Sequence, residues 1–341
     1  MGIKSAKILL LGTIGLLFFN DRLRSYQEKT MSIIRVGDKV LSLDLVLGTG
    51  PQAENKFKFP YSIVVDGEGR IFVADRGNRR IQVFNSNGSF LTTIGGRNKR
   101  AIKLALPKAV ALNGEGRLFI SDYSGGRAQL IVLDKEYLFD KKFIIPYEAS
   151  QIGFADGRII VGTKSRRSSA NVYLIDPEGR VAGTIDEFLI PTELWKTRVN
   201  VALDLNGRIF LANEFSPDVR AYSSEGELIL KFRYQPLTKN FKFPNPFLAG
   251  GVFDEGIHRF LCYDLAVDRD GFIYLLVSTD FEINEMCSLY LFDPVGLFRE
   301  AVDLSFPCGR LYIDQSGRFY FLSQMETGFL YRYSPISREG P

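Results

Sequence analysis

The sequence predicts an all-β protein, a six-bladed β-propeller of four-stranded antiparallel blades, and three observations carry that expectation. A phrase of strand, tight turn ending in glycine, then second apolar strand occurs six times, around Gly69, Gly116, Gly157, Gly207, Gly271 and Gly317. Five of these glycines are followed by arginine (Arg70, Arg117, Arg158, Arg208, Arg318), and the fifth copy has Phe272 instead. The last copy ends with the chain before a fourth strand can form, while a strand-like segment without a blade, Val40 to Gly48, stands ahead of the first copy. A unit of this length cannot cover both faces of its own sheet, so the copies must stack, and pairing the N-terminal strand onto the last blade closes the ring without leaving long edges.

Within each copy the elements follow from local chemistry. The segments IFVAD, LFISD, IIVGT, IFLAN, FIYLLV and FYFLS after the turn glycines are short apolar runs rich in β-branched and aromatic residues. Such runs bounded by turn residues read as buried strands. Third strands follow (RIQVFNSNG, QLIVLDKE, VYLIDPEG, VRAYSSEG, LYLFDPVG, FLYRYSP), closed by Asx-Pro and Ser/Asn-Gly punctuation typical of hairpin turns. Fourth strands appear in the first five copies only.

Residues Phe59 to Gly96 resemble the NHL repeat: Pro60, Asp66, Gly69, Ala74-Asp75, then Gly77-Asn78-Arg79-Arg80-Ile81-Gln82-Val83-Phe84. The second copy keeps Pro107, Asn113, Gly116, Ser121-Asp122 and Arg127, and the later copies keep little beyond turns and strands. The resemblance implies a propeller over roughly residues 40 to 335. It also brings in enzymes of related architecture. The gluconolactonase and paraoxonase group holds a calcium ion with Glu, Asn and Asp around its channel, and here Asp75, Asp122, Asn200, Asn213 and Asp264 are oxygen donors of that sort. The peptide-amidating lyase resembles a zinc enzyme needing several histidines, and His258 is the one histidine of this chain. No cofactor is expected, with calcium held open as the alternative.

Residues 1–30 are expected to form a signal sequence or N-terminal membrane anchor with a linker, and residues 31–341 a single propeller. Lys4 and Lys7 precede an apolar run from Ile8 to Phe19, the layout of an export signal and short for a spanning helix. This places the protein outside the cytoplasm, periplasmic or extracellular, or anchored there. The net charge of +4 falls to about +1 once this basic segment is set aside, so the ring offers no global attraction to nucleic acid. Cys262, Cys287 and Cys308 have no metal-like spacing and read as free apolar fillers, in preference to a disulfide between Cys262 and Cys308.

In a propeller the starts of the inner strands and the ends of the second strands meet at one mouth. That register gathers Tyr61, Asp75, Lys108, Asp122, Gln151, Asn200, Asn213, Tyr263, Asp264 and Arg310 as candidate ligand-binding residues. The same groups would also serve to satisfy turns and channel water. The spacing between turn glycines stretches to 64 residues from Gly207 to Gly271, against 41 to 50 elsewhere. The extra length lies in residues 235–262, whose Phe241, Phe243, Phe247 and His258 make an aromatic loop suited to capping the channel or gripping a partner. No nucleophile elbow, phosphate-binding loop or dinucleotide fingerprint is present. The expected function is therefore a non-enzymatic binding module for a peptide, protein or saccharide, with a calcium-dependent hydrolase or lyase as the alternative.

Overall fold

A computed structural model describes residues 32–49, 56–96, 102–164, 168, 170–186, 198–235, 262–278, 287–304 and 306–336. The candidate residues Phe241, Phe243, Phe247 and His258, and the whole of segment 1–30, lie outside the described residues. Among the described residues no helix is long and apolar enough to cross a membrane.

Six antiparallel sheets stand in sequence order around a ring. Running from the inner strand outwards, blade one is β3 (Pro60–Val65), β4 (Ile71–Asp75), β5 (Arg80–Phe84) and β6 (Phe90–Gly95). Blade two is β7 (Val110–Leu112), β8 (Leu118–Ser124), β9 (Arg127–Leu133) and β10 (Phe139–Ile144). Blade three is β11 (Ala149–Ala155), β12 (Arg158–Thr163), β13 (Val172–Ile175) and β14 (Val181–Ile185). Blade four is β15 (Val199–Leu203), β16 (Ile209–Asn213), β17 (Asp218–Tyr222) and β18 (Leu228–Arg233). Blade five is β19 (Cys262–Val267), β20 (Ile273–Ser278), β21 (Cys287–Phe292) and β22 (Phe298–Asp303).

The last blade combines both ends of the chain: β23 (Arg310–Ile313), β24 (Phe319–Leu322) and β25 (Leu330–Pro335) are followed by β2 (Lys39–Leu47) and β1 (Ile33–Val36). Closure by the N-terminal strand matches the sequence expectation, with Leu41 opposite Pro335 and Leu47 opposite Leu330. A bulge between Leu43 and Leu45 carries Asp44, which takes a two-pronged ion pair from Arg332 at 2.9 and 3.1 Å. The strand Ile33–Val36 was not expected. It folds back on β2 as a hairpin and makes this blade five-stranded, because Ile34 and Val36 present alternate apolar side chains that bury fully against blade five.

Burial follows position across the blade. The second strands, such as Ile71–Asp75 and Ile209–Asn213, are buried at every residue, whereas the outer strands Phe139–Ile144 and Leu228–Arg233 alternate with solvent. The middle strands are covered on both faces by neighbouring blades, and six apolar clusters fill the six gaps between adjacent blades.

The recurrent turn phrase has one physical meaning. Asp66 Oδ1 accepts the N–H of Glu68 at 3.0 Å and of Arg70 at 2.8 Å, while Gly69 takes φ +77°, a conformation costly for other residues. Asn113, Asp204, Asp268 and Asp314 repeat the pattern. The following arginine folds back on the aspartate, with Nε to Oδ2 at 2.6 Å for both Arg70–Asp66 and Arg208–Asp204. Where Phe272 replaces that arginine, Lys39 from the closing strand sits 3.2 Å from Asp268 and over the Phe272 ring.

Candidate functional site

The inner strand of a blade is a sheet edge, so its channel-facing N–H and C=O groups need partners from outside the sheet. Side chains from the neighbouring blade, on its inner strand or, for Ser121, its second strand, supply them around the ring. Ser62 Oγ accepts the N–H of Val110 at 3.3 Å, and Ser121 Oγ that of Ala149 at 3.1 Å. Gln151 Oε1 accepts the N–H of Val201 at 2.9 Å, and Asn200 Nδ2 donates to the Cys262 carbonyl at 3.0 Å. Asp264 Oδ2 accepts the N–H of Leu311 at 2.9 Å, and Arg310 Nε donates to the Tyr61 carbonyl at 3.2 Å. One such bond crosses each of the six blade junctions.

Three of these staples join across the channel. Asp264 Oδ1 accepts from Gln151 Nε2 at 2.9 Å and from Arg310 Nη1 at 3.3 Å, linking blades three, five and six. The Arg310 guanidinium lies 4.4 Å from the Tyr61 ring centroid and Lys108 Nζ 5.0 Å from it, so blade one completes the latch. Burial raises the Tyr61 phenol, but Arg310, Lys108 and Lys164 together outweigh it and Glu214 opposes them, leaving the phenol below its ordinary value. Lys108, Lys164 and Arg310 thus gather around one ring in a chain segment that is close to neutral as a whole.

The remaining candidates divide between scaffold and rim. Asp75 is fully buried and accepts from Lys58 N (2.7 Å), Asn78 Nδ2 (2.9 Å) and Arg80 Nε (2.7 Å). Asp122 holds the N–H groups of Ala105 and Leu106 and the side chain of Gln129. Asn213 Oδ1 caps Phe215 and Ser216. Tyr263 packs against the apolar cluster between blades five and six. Lys108 pairs with Glu148 at 3.0 Å, and Asn200 Oδ1 receives Lys164 Nζ, which also pairs with the buried Glu214.

These bonds bear directly on a calcium site. Asp75, Asp122, Asn200, Asn213 and Asp264 spend their oxygens on N–H donors within their own surroundings, and among the described residues no three His, Cys, Asp or Glu side chains gather around one point. The residues present do not form the oxygen cage that a hard cation requires. The three thiols are free and buried, and burial pushes the Cys262 thiol well up.

Glu148, Arg198 and Glu214 also belong to this mouth and were not singled out from sequence, and Lys164 stands with them. Lys164 and Glu214 each follow a second-strand terminus, and a scan one residue past those termini would have found them. Arg198 precedes β15 and sits 2.9 Å from Glu214.

This architecture defines a six-bladed β-propeller, and solved structures agree at the level of fold. A putative exported protein from Bacteroides fragilis superposes with a TM-score of 0.61 at 10% identity, covering 89% of this chain and 98% of that one. A gluconolactonase from Xanthomonas campestris superposes with a TM-score of 0.52 at 12% identity, covering 88% and 91%. The family is visible in the first blade, where the NHL repeat model matches residues 57–84. Over 40 residues the chain is 55% identical to human NHL repeat-containing protein 3, a match spanning 12% of this chain and 11% of that relative. The chain is thus a six-bladed propeller whose first blade matches the NHL repeat, and its sequence likeness to that relative covers about a tenth of the relative's length.

Proposed function

We propose that this protein is a non-enzymatic binding module that holds a protein or peptide partner on the face where the inner strands begin. One observation carries the reading: most of the mouth's polar side chains are engaged in stapling the ring, which leaves a braced platform bearing Lys108 and Arg310 instead of a reactive centre. Strand β18 ends and β19 begins on this face, so the long 235–262 segment departs from and returns to it. A saccharide is less favoured, because sugar sites need an open aromatic face and the Tyr61 ring is covered by Arg310 and Lys108. The calcium-dependent enzyme finds no support in a donor set already committed to N–H groups.

Photo-cross-linking tests this reading. A photoreactive residue at Lys103, exposed on the mouth side, should capture a partner polypeptide, and one at Lys135, in a turn on the opposite face, should not. Tyr61→Ala with Lys108→Ala should abolish the adduct. Equal capture from both positions, or capture from Lys135 alone, refutes it. The proposed site of action is outside the cytoplasm, on the layout of residues 4–19. Protease accessibility in intact cells checks it, and full protection in cells with a permeable outer layer would overturn it.

A further inference from the structure

The inner strands enclose a channel cavity of about 380 Å³ with two unlike parts. Its walls include Leu112, Phe154, Leu203, Val267 and Ile313, one from each of five blades, each half-buried with one side on an inter-blade core. Its polar end is the latch of Gln151, Asp264 and Arg310.

Arg310 is only 5% exposed, yet its donors are not all used. Nε serves the Tyr61 carbonyl and Nη1 serves Asp264, while Nη2 has no acceptor among the described residues. A guanidinium carries five N–H donors, and Nη2 is not among the buried unpartnered atoms of the described residues, so it opens to the channel where an acceptor can reach it. Asp264 takes Gln151 and Arg310 Nη1 on Oδ1 and Leu311 on Oδ2, and no bond from Nη2 is among them. The Arg310 guanidinium and Lys108 Nζ both lie on the Tyr61 ring at the same end, so an acceptor that carries negative charge fits better than a neutral one.

We propose that this cavity binds an amphipathic carboxylic acid, its carboxylate on the free Nη2 of Arg310 and its hydrocarbon body along Leu112, Phe154, Leu203, Val267 and Ile313. The volume lies within the range of small-molecule sites. At about 30 Å³ for each methylene-sized group it holds roughly a dozen non-hydrogen atoms. The head is read by charge and the body by burial, so neither half alone suffices. The latch is the floor of the mouth proposed above to hold a partner, but the titrations below read small-ligand binding alone, so their outcome is separate from that of the cross-linking.

The test is calorimetric titration of the full-length protein with decanoate, decanol and acetate. Decanoate should bind saturably at one site, at least tenfold more tightly than decanol, which lacks the charge, and than acetate, which lacks the body. Arg310→Gln should cost decanoate at least tenfold and leave decanol unchanged. Should that variant not fold, Ile313→Phe narrows the apolar wall without touching the latch, and it should weaken decanoate by a similar factor with its thermal transition retained. Decanol binding as tightly as decanoate, uptake without saturation, no uptake of decanoate, or a folded Arg310→Gln or Ile313→Phe protein with unchanged decanoate affinity would each overturn the proposal.

Discussion

Replacing Asp264 by asparagine isolates the latch. The substitution keeps volume and shape but removes the charge that balances Arg310, and Asp264 is 3% exposed. An asparagine has one acceptor oxygen to set against the N–H of Leu311 on one side and the donors of Gln151 and Arg310 on the other. Either amide orientation points a donor at a donor. Breaking a buried ion pair by removing one partner costs about 3–5 kcal/mol, and the long 3.3 Å contact to Nη1 places Asp264→Asn near the lower end. Urea unfolding is the assay: with a slope of about 3 kcal/mol/M, the midpoint should fall by roughly 1 M. Arg310→Met alone should cost a similar amount, because it strands the carboxylate. The double variant Asp264→Asn with Arg310→Met leaves no unbalanced charge and should cost less than the two singles added, by about 2 kcal/mol. A cost below about 1 kcal/mol for Asp264→Asn, or additivity within about 0.5 kcal/mol, would refute the view that the latch is one coupled unit.

Other expectations follow from the same geometry. Gly179 holds φ +89° in a turn seated on the Phe143 ring of the preceding blade, whereas Gly157 holds φ +72° with open space around it. Gly179→Ala should therefore lose about 1–3 kcal/mol more than Gly157→Ala, the overpacking cost beyond the shared backbone strain, and equal losses by urea unfolding would contradict this. Burial pushes the Tyr312 phenol up to about 12 and raises Tyr274, Tyr320 and Tyr333 as well. The folded state thus keeps protons that the unfolded chain gives up near 10, so stability is full below pH 10 and falls as pH rises from 10 to 12. A thermal midpoint that stays flat across that interval would contradict it. A thiol reagent should label no cysteine in the native protein and Cys262, Cys287 and Cys308 on unfolding, and native labelling would show the burial to be wrong. Millimolar calcium or a chelator should leave the thermal midpoint unchanged, since Asp75, Asp122 and Asn213 are engaged by N–H groups; a clear rise with calcium would reinstate a cation site.

Much of the scaffold was readable because its determinants are local. Asp66, Gly69 and Arg70 lie within five residues, and their turn closes the same way wherever the phrase recurs. The missing sixth outer strand announced the closure. The short hairpin strand at Ile33–Val36 was not visible, since four residues gain strand character only when β2 and blade five are already there to pair and bury them. Candidate positions were also readable as a register, in that Gln151, Asn200, Asp264 and Arg310 recur near the starts of inner strands. Their roles were not, because each answers a backbone group on another blade.

The sequence by itself therefore determined blade number, strand order, turn chemistry and the way the ring shuts, all written in periodicity and near-neighbour contacts. Only the tertiary structure decided what the mouth is made of. Gln151 meets Asp264 across 113 residues of chain and Asp44 meets Arg332 across 288, encounters that exist only after the ring has closed. The net charge could not show which charges gather at Tyr61 for the same reason: the total is a sum over the chain, whereas the Tyr61 phenol answers to Arg310, Lys108 and Lys164, which the closed ring brings to it.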